Sequence, residues 1–191
     1  MKKSVLIFGL MGLIACDKPA NEPAPASTTN NEEVAKEVTY YSTGMVQKLS
    51  QMKDGQLNGV HLEIDQRGNL LHQNNYLNGK LDGVQMNFTS TGRLELKANY
   101  KNGVLDGEYS KYNKDGRSLQ ESCTYVNGVK HGVASWFYSS GKVSMTYIYE
   151  NGNINGLAQQ FYESGNLKAE VNYDNGNMNG EWKKFEDNIV E

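Results

Sequence analysis

The sequence predicts an all-β fold: an elongated repeat sheet of six β-hairpin units of about 24 residues, preceded by a half-unit. Three observations predict it. Glycines recur at a fixed interval, apolar residues alternate with polar ones between them, and an Asn-Gly or Asp-Gly pair lies in the middle of each unit. A fixed period of this length is typical of repeat architectures, in which each unit buries its apolar side against its neighbours.

Eighteen of the 20 glycines fall into three series, and in each series the spacing is 24 residues with a single exception of 25. The first series is Gly44, Gly68, Gly92, Gly116, Gly141 and Gly165. The second is Gly55, Gly79, Gly103, Gly128, Gly152 and Gly176, and the third is Gly59, Gly83, Gly107, Gly132, Gly156 and Gly180.

Each unit is predicted to form two strands. In the third unit the residues Leu94, Leu96, Ala98 and Tyr100 alternate with polar residues, which indicates a strand with one buried face. The Asn-Gly pair that follows favours a tight hairpin turn, because both residues tolerate positive φ. A second strand follows the third glycine and carries an aliphatic or aromatic residue at its fifth position in every unit. With the half-unit near residues 38–41, thirteen strands are expected.

The fourth unit departs from the pattern in two ways. It has one extra residue near Arg117–Ser118, which we expect a β-bulge to absorb. It also carries Trp136 and Lys130 where the other units have different residue types. The departures mark this unit as the candidate contact region.

The N-terminus has the layout of a secretory signal peptide, with two lysines before an apolar run at 4–15. Its end, Leu13-Ile-Ala-Cys16, resembles the bacterial lipobox, which implies lipidation of Cys16; the alternative is an ordinary signal peptide with an incidental cysteine. We therefore expect a signal peptide at 1–15, a lipidated cysteine and flexible tether at 16–35, and a repeat domain at 36–191. Asp17 resembles an inner-membrane retention signal, but the choice of membrane stays open.

Three quoted segments carry a family resemblance: YKNGVLDGEYSKY (100–112), YVNGVKHGVASWF (125–137) and YDNGNMNGEWKKF (173–185). They resemble the MORN repeat in its longer bacterial variant, and the resemblance extends over about 40–187. It implies an elongated sheet of hairpins that binds or organises proteins, and no catalytic residues. Some bacterial members are known as antitoxins or immunity proteins.

Composition and motifs argue against several other functions. The net charge of −3 disfavours nucleic acid as a partner, since phosphate binding needs a basic face. The three histidines occupy three different positions of the repeat, so no metal site is expected. No phosphate loop, nucleophile arrangement or cofactor motif is present, and we expect neither an enzyme nor a cofactor. Cys123 is expected to be a small buried hydrophobe.

The candidate binding residues are Trp136, Tyr109, Trp182 and Lys130. Trp136 occupies a position that is polar in the other units, which indicates an exposed aromatic anchor; the alternative is that sheet twist packs it against a neighbouring strand. Tyr109 and Trp182 share another position expected on the same face, and Lys130 replaces an aliphatic residue.

Together these observations predict a lipid-anchored protein of the bacterial cell envelope, facing the periplasm or the exterior, that acts by binding a protein. The most specific version is an immunity protein that neutralises a toxic effector. The alternative is an envelope scaffold or a glycan-binding lipoprotein. Both rest on analogy of family and location.

Overall fold

The computed structural model describes residues 35–188, which form a single open sheet of 15 strands. The described residues contain no helix, and so none of the length and apolar character that crossing a membrane requires. The predicted signal peptide, Cys16 and all but the last residue of the predicted tether lie outside the described residues.

The strands follow the repeat. The first half-unit gives β1 (Ala35–Tyr40), and the next two units give β2 (Val46–Lys53), β3 (Gln56–Ile64), β4 (Leu70–Leu77), β5 (Lys80–Leu81) and β6 (Gly83–Phe88). The third and fourth units give β7 (Leu94–Lys101), β8 (Val104–Tyr112), β9 (Leu119–Val126) and β10 (Val129–Phe137). The last two give β11 (Val143–Glu150), β12 (Asn153–Ile154), β13 (Gly156–Phe161), β14 (Leu167–Asp174) and β15 (Asn177–Lys184).

Each strand pairs antiparallel with the strands before and after it in the chain, in the order β1-β2-β3-β4-β6-β7-β8-β9-β10-β11-β13-β14-β15. The short β5 pairs with β4, and the short β12 pairs with β11. In these two units the second strand is interrupted by one residue, before Gly83 and before Gly156, and β5 and β12 are the parts that precede the interruption. The all-β repeat sheet and its main path of thirteen strands are confirmed.

The hairpin turns explain the recurring Asn-Gly pair. The residue before the second glycine has φ between 48° and 52° in all six units, and the glycine after it also has positive φ. Two consecutive residues with positive φ form the type I′ turn, whose twist matches that of the flanking strands. An Asn or Asp followed by Gly adopts this turn at little cost, so the sequence fixes each hairpin locally.

The extra residue of the fourth unit lies in the turn at 113–118, between β8 and β9. This turn has six residues, as Tyr112 pairs with Leu119, whereas the equivalent turn after Phe137 has five, as Phe137 pairs with Val143. The predicted bulge is wrong as the means of absorbing the residue: the bulge at the end of β8 recurs in the other units, and the turn takes up the insertion. The Asp115 carboxylate stabilises the longer turn by accepting hydrogen bonds from the backbone N–H groups of Arg117 and Ser118.

The sheet is a single layer in the described part of the chain, and its core is thin. The buried apolar residues are small and lie on one face: Ala98, Cys123, Ala134, Ala158, Ala169 and Val171. The Tyr residues near the hairpin turns, such as Tyr100 and Tyr149, stay half-buried. The apolar face is therefore shared between repeats as predicted, but no second layer covers it. Cys123 is buried, as predicted, and burial raises the pKa of its thiol.

One line of residues crosses this face near the middle of the strands, and we call it the central row. Its members are paired or adjacent across neighbouring strands: Ser50, His61, Asn74, Gln85, Ala98, Tyr109, Cys123, Ala134, Tyr147, Ala158, Val171 and Trp182. The row is polar in the first two units and becomes apolar and aromatic from Ala98 onward. The face is therefore chemically uneven, although the backbone repeats.

Hydrogen bonds link the polar residues of the row. The Ser50 hydroxyl lies 2.8 Å from His61 Nδ1, and the Gln85 amide donates to Asn74 at 3.1 Å. Beside them, Lys48 Nζ lies 2.6 Å from Glu63 Oε1. The hydrogen bond from Lys48 holds the pKa of the Glu63 carboxyl below its ordinary value.

Replacing Glu63 with glutamine is expected to lower the free energy of unfolding by about 0.5 kcal/mol at pH 7, because the Lys48–Glu63 pair is only half-buried. A carboxyl with a lowered folded-state pKa stabilises the protein above its unfolded-state pKa of about 4.3 and loses that effect as the pH falls through the folded-state value. The difference between variant and parent should therefore shrink below about pH 4 and vanish in stronger acid. Urea titrations across this pH range measure it; a difference that persists in acid would contradict an electrostatic origin.

Candidate binding surface

Trp136 lies on the face that carries the central row, and its side chain is not fully exposed. It is half-buried, and its ring contacts Tyr147 edge to face, with centroids 5.7 Å apart. Trp136 pairs with Met145 on β11 and with Glu121 on β9, so it has neighbours on both sides. The alternative from the sequence therefore holds: Trp136 packs against a neighbouring strand and forms part of a cluster.

Lys130 contacts Trp136 and is held by a carboxylate. Its ammonium lies 5.1 Å from the centre of the Trp136 ring and 2.6 Å from Glu121 Oε1. Both charged side chains are largely buried, with exposed fractions of 22% and 18%. Burial lowers the pKa of Lys130, but the hydrogen bond and charge of Glu121 outweigh it, and the pKa lies above its ordinary value. Lys130 is therefore a paired cation that supports the aromatic cluster.

Tyr147 is the centre of the aromatic cluster. Besides Trp136, its ring contacts Tyr149 and Tyr173, with centroid distances of 6.5 and 6.1 Å. Burial raises the pKa of the Tyr147 phenol. In the four preceding units the equivalent position of the first strand carries a small or polar residue. Tyr147 lies between Ala134 and Ala158 on the neighbouring strands, and these small side chains leave space around its ring.

A cleft of about 250 Å³ opens next to Tyr147 in the last two units. Ala158, Ala169 and Val171 are buried and form its floor, and Tyr147, Tyr173 and Trp182 are among the larger side chains that line it. We call this the aromatic cleft. A small floor between aromatic rings provides contacts on several sides of an apolar side chain placed there.

The four candidate residues do not form one site. Lys130 and Trp136 are in contact. The ring of Tyr109 packs against that of Tyr125, with centroids 5.7 Å apart. Tyr109 also lines a different, more polar hollow together with Lys111. Trp182 lies two units after Trp136, where it lines the aromatic cleft, and it is 42% exposed. Tyr147 connects the Trp136 end of the surface with the Trp182 end.

Tyr147, Tyr173 and Glu121 belong to this surface but are not among the binding residues predicted from the sequence. The signal for Tyr147 was present, since a large aromatic replaces the small or polar residues found at its position in the four preceding units. Glu121 gave no such signal, because its role as the partner of Lys130 depends on how β9 pairs with β10. Within the described residues, no group of three or more His, Cys, Asp or Glu side chains is arranged to hold a metal ion.

The part of the chain that matches a known family model includes this surface. A family model described as a MORN repeat variant matches residues 130–151 and 154–175. A search of curated proteins found no match to the chain. Both matched segments consist of the second strand of one unit and the first strand of the next. Two adjacent repeats of this chain therefore match the MORN repeat variant, and they are the repeats that contain Trp136, Tyr147 and Tyr173.

Proposed function

We propose that this chain is a binding protein of the bacterial envelope, which holds a protein partner on the aromatic cleft and performs no chemical turnover. The observation that carries the proposal is the cleft itself: a small apolar floor between Tyr147, Tyr173 and Trp182, on a face that no second layer covers in the described residues. Tyrosine and tryptophan beside a recess are the residues that most often dominate the binding energy of protein interfaces.

The cleft suits an apolar or aromatic side chain presented by a folded partner. Lys130, the cation that contacts the cluster, is already paired with Glu121, so an anionic ligand gains little there. The repeat supports the same view, since MORN-type arrays act as binding or organising surfaces. A sheet of paired strands also presents a stable platform, because every inner strand is bonded on both sides.

In its specific form, the proposal is an immunity protein: the partner is a toxic effector, and binding blocks it. Support comes from the MORN variant match, the lipobox-like end at Cys16 and the predicted tether, which would hold the repeat domain at a membrane surface. Anchoring at the site where an effector arrives raises its effective concentration. The alternative is an envelope scaffold or a glycan-binding lipoprotein, for which the polar Gln160 at the wall of the cleft is the supporting feature.

The test is recovery of partners by the full chain from intact envelopes. We expect the parent chain and the Tyr100→Ala variant to retain one main protein partner, and the Tyr147→Ala variant to lose it. Tyr100 is the matched control, because it is a half-buried tyrosine of the same face outside the cleft. Expression of the partner alone should then stop growth, and this chain should restore it.

The outcomes separate the candidates. A partner that depends on Tyr147 but is harmless when expressed alone would favour a scaffold over an immunity protein. Retention of glycan in place of protein would favour the glycan-binding alternative. Equal recovery by both tyrosine variants would overturn the cleft as the binding site.

A further inference from the structure

The last strand, β15, has an unpaired outer edge in the described part of the chain. In each of the five preceding units the outer edge of the second strand pairs with the first strand of the next unit. In β15 and directly after it the large apolar residues are consequently uncovered: Met178 is 53% exposed, Trp182 42% and Phe185 40%. Their equivalents one unit earlier, Ile154, Ala158 and Phe161, are half-buried or buried.

The five preceding units define what this edge accepts. The third glycine of each unit lies opposite a tyrosine of the incoming strand, as Gly156 lies opposite Tyr173. The residue two positions later, in the central row, lies opposite a side chain of the same row, and each of these five pairs contains Ala, Cys or Asn. By this rule the strand that covers β15 is antiparallel, carries an aromatic residue opposite Gly180 and a small residue opposite Trp182.

Strand direction decides which part of a second copy meets the rule. Strands β1 and β15 are separated by an even number of antiparallel steps, so they run in the same direction. A head-to-tail copy would therefore offer β1 parallel to β15, whereas every pair in this sheet is antiparallel. A two-fold axis perpendicular to the sheet instead brings the β15 of a second copy antiparallel to the first, with the same face on the same side.

We propose that β15 pairs with β15 of a second copy, with Glu181 on the two-fold axis. In this register Gly180 lies opposite Trp182 of the second copy, and Trp182 lies opposite Gly180 of the second copy. Both parts of the pairing rule are met by one strand, because its glycine and its aromatic residue are two positions apart. On the other face each Glu181 lies diagonal to a Lys183 of the second copy, which offsets the repulsion between the two carboxylates.

The result is one continuous antiparallel sheet, with two aromatic clefts on the same face beside the junction. The inference rests on strand direction and register, and it does not depend on the nature of the partner in the proposed function. It also accounts for the exposure of Met178 and Trp182, which the added strand covers.

Disulfide trapping with the full chain tests the pairing. In the Glu181→Cys variant the two introduced cysteines face each other across the axis, and mild oxidation should give a covalent dimer. The Lys183→Cys variant is the matched control, since it lies on the same strand and face. Its two copies are four residues apart along the strand, roughly 13 Å, beyond the Cα separation of about 7 Å that a disulfide spans. The natural cysteines are common to both variants.

Efficient dimer formation by Glu181→Cys, with Lys183→Cys at the level of the parent chain, is the expected result. Equal cross-linking of both variants would indicate random collision and overturn the register. The absence of a dimer in both would overturn the pairing. Capture of a different protein by Glu181→Cys would show that another strand occupies the edge and would overturn the second copy as its occupant.

Discussion

Replacing Tyr147 with alanine is expected to weaken binding of the proposed protein partner by about 30-fold or more, which corresponds to about 2 kcal/mol. Tyr147 contacts three other aromatic rings and forms one wall of the cleft, so its loss removes a contact surface and loosens Trp136 and Tyr173. The measurement is the dissociation constant of the complex for the parent chain and the variant, by titration with the recovered partner.

The fold should tolerate this change, because the equivalent residue is alanine in the third unit and cysteine in the fourth. Tyr100→Ala provides the control for loss of a tyrosine elsewhere on the face and should leave the dissociation constant within about twofold. If Tyr147→Ala bound the partner as tightly as the parent while remaining folded, the cleft would not be the contact surface.

Replacing Glu121 with alanine is expected to lower the free energy of unfolding by about 2 kcal/mol, because it leaves the largely buried ammonium of Lys130 without its carboxylate. The 2.6 Å contact and the low exposure of both side chains make this pair different from the half-exposed Lys48–Glu63 pair. Chemical denaturation at pH 7 measures the loss.

A double variant separates the charge from the packing. Lys130→Leu introduces the residue that the first three units carry at this position, Leu57, Leu81 and Leu105, and removes the unpaired cation. Combined with Glu121→Ala, it should recover most of the lost stability, since an apolar pair often replaces a buried ion pair at no cost. If the double variant loses as much free energy of unfolding as the two single variants together, the two residues act independently.

The backbone could be predicted from the sequence because each repeat carries its own local instructions. Positive φ at Asn102-Gly103 fixes a hairpin without reference to the rest of the chain, and the alternation of Leu94, Leu96 and Ala98 assigns the inner face. Repetition then extends one local solution over six units. The site of the extra residue near Arg117–Ser118 was predictable for the same reason, but its accommodation in the turn depended on how the turn closes.

The surface was only partly predictable, because it depends on contacts between strands of different units. Trp136 was recognisable as unusual from its column, yet its burial results from Tyr147 on the next strand. Lys130 was also recognisable, whereas its partner Glu121 becomes visible only once β9 and β10 are aligned. Departures from a repeat thus identified the region, and the pairing of strands decided which residues meet there.

The central claim is that the aromatic cleft contacts the protein partner, and site-specific photo-cross-linking in cells tests it most directly. A photoreactive residue is placed either at Gln160, which lines the cleft, or at Thr146, which lies between Met145 and Tyr147 and points to the opposite face. The account predicts a covalent adduct with the same protein partner from position 160 and none from position 146. An adduct from position 146 alone, or from both positions equally, would contradict it.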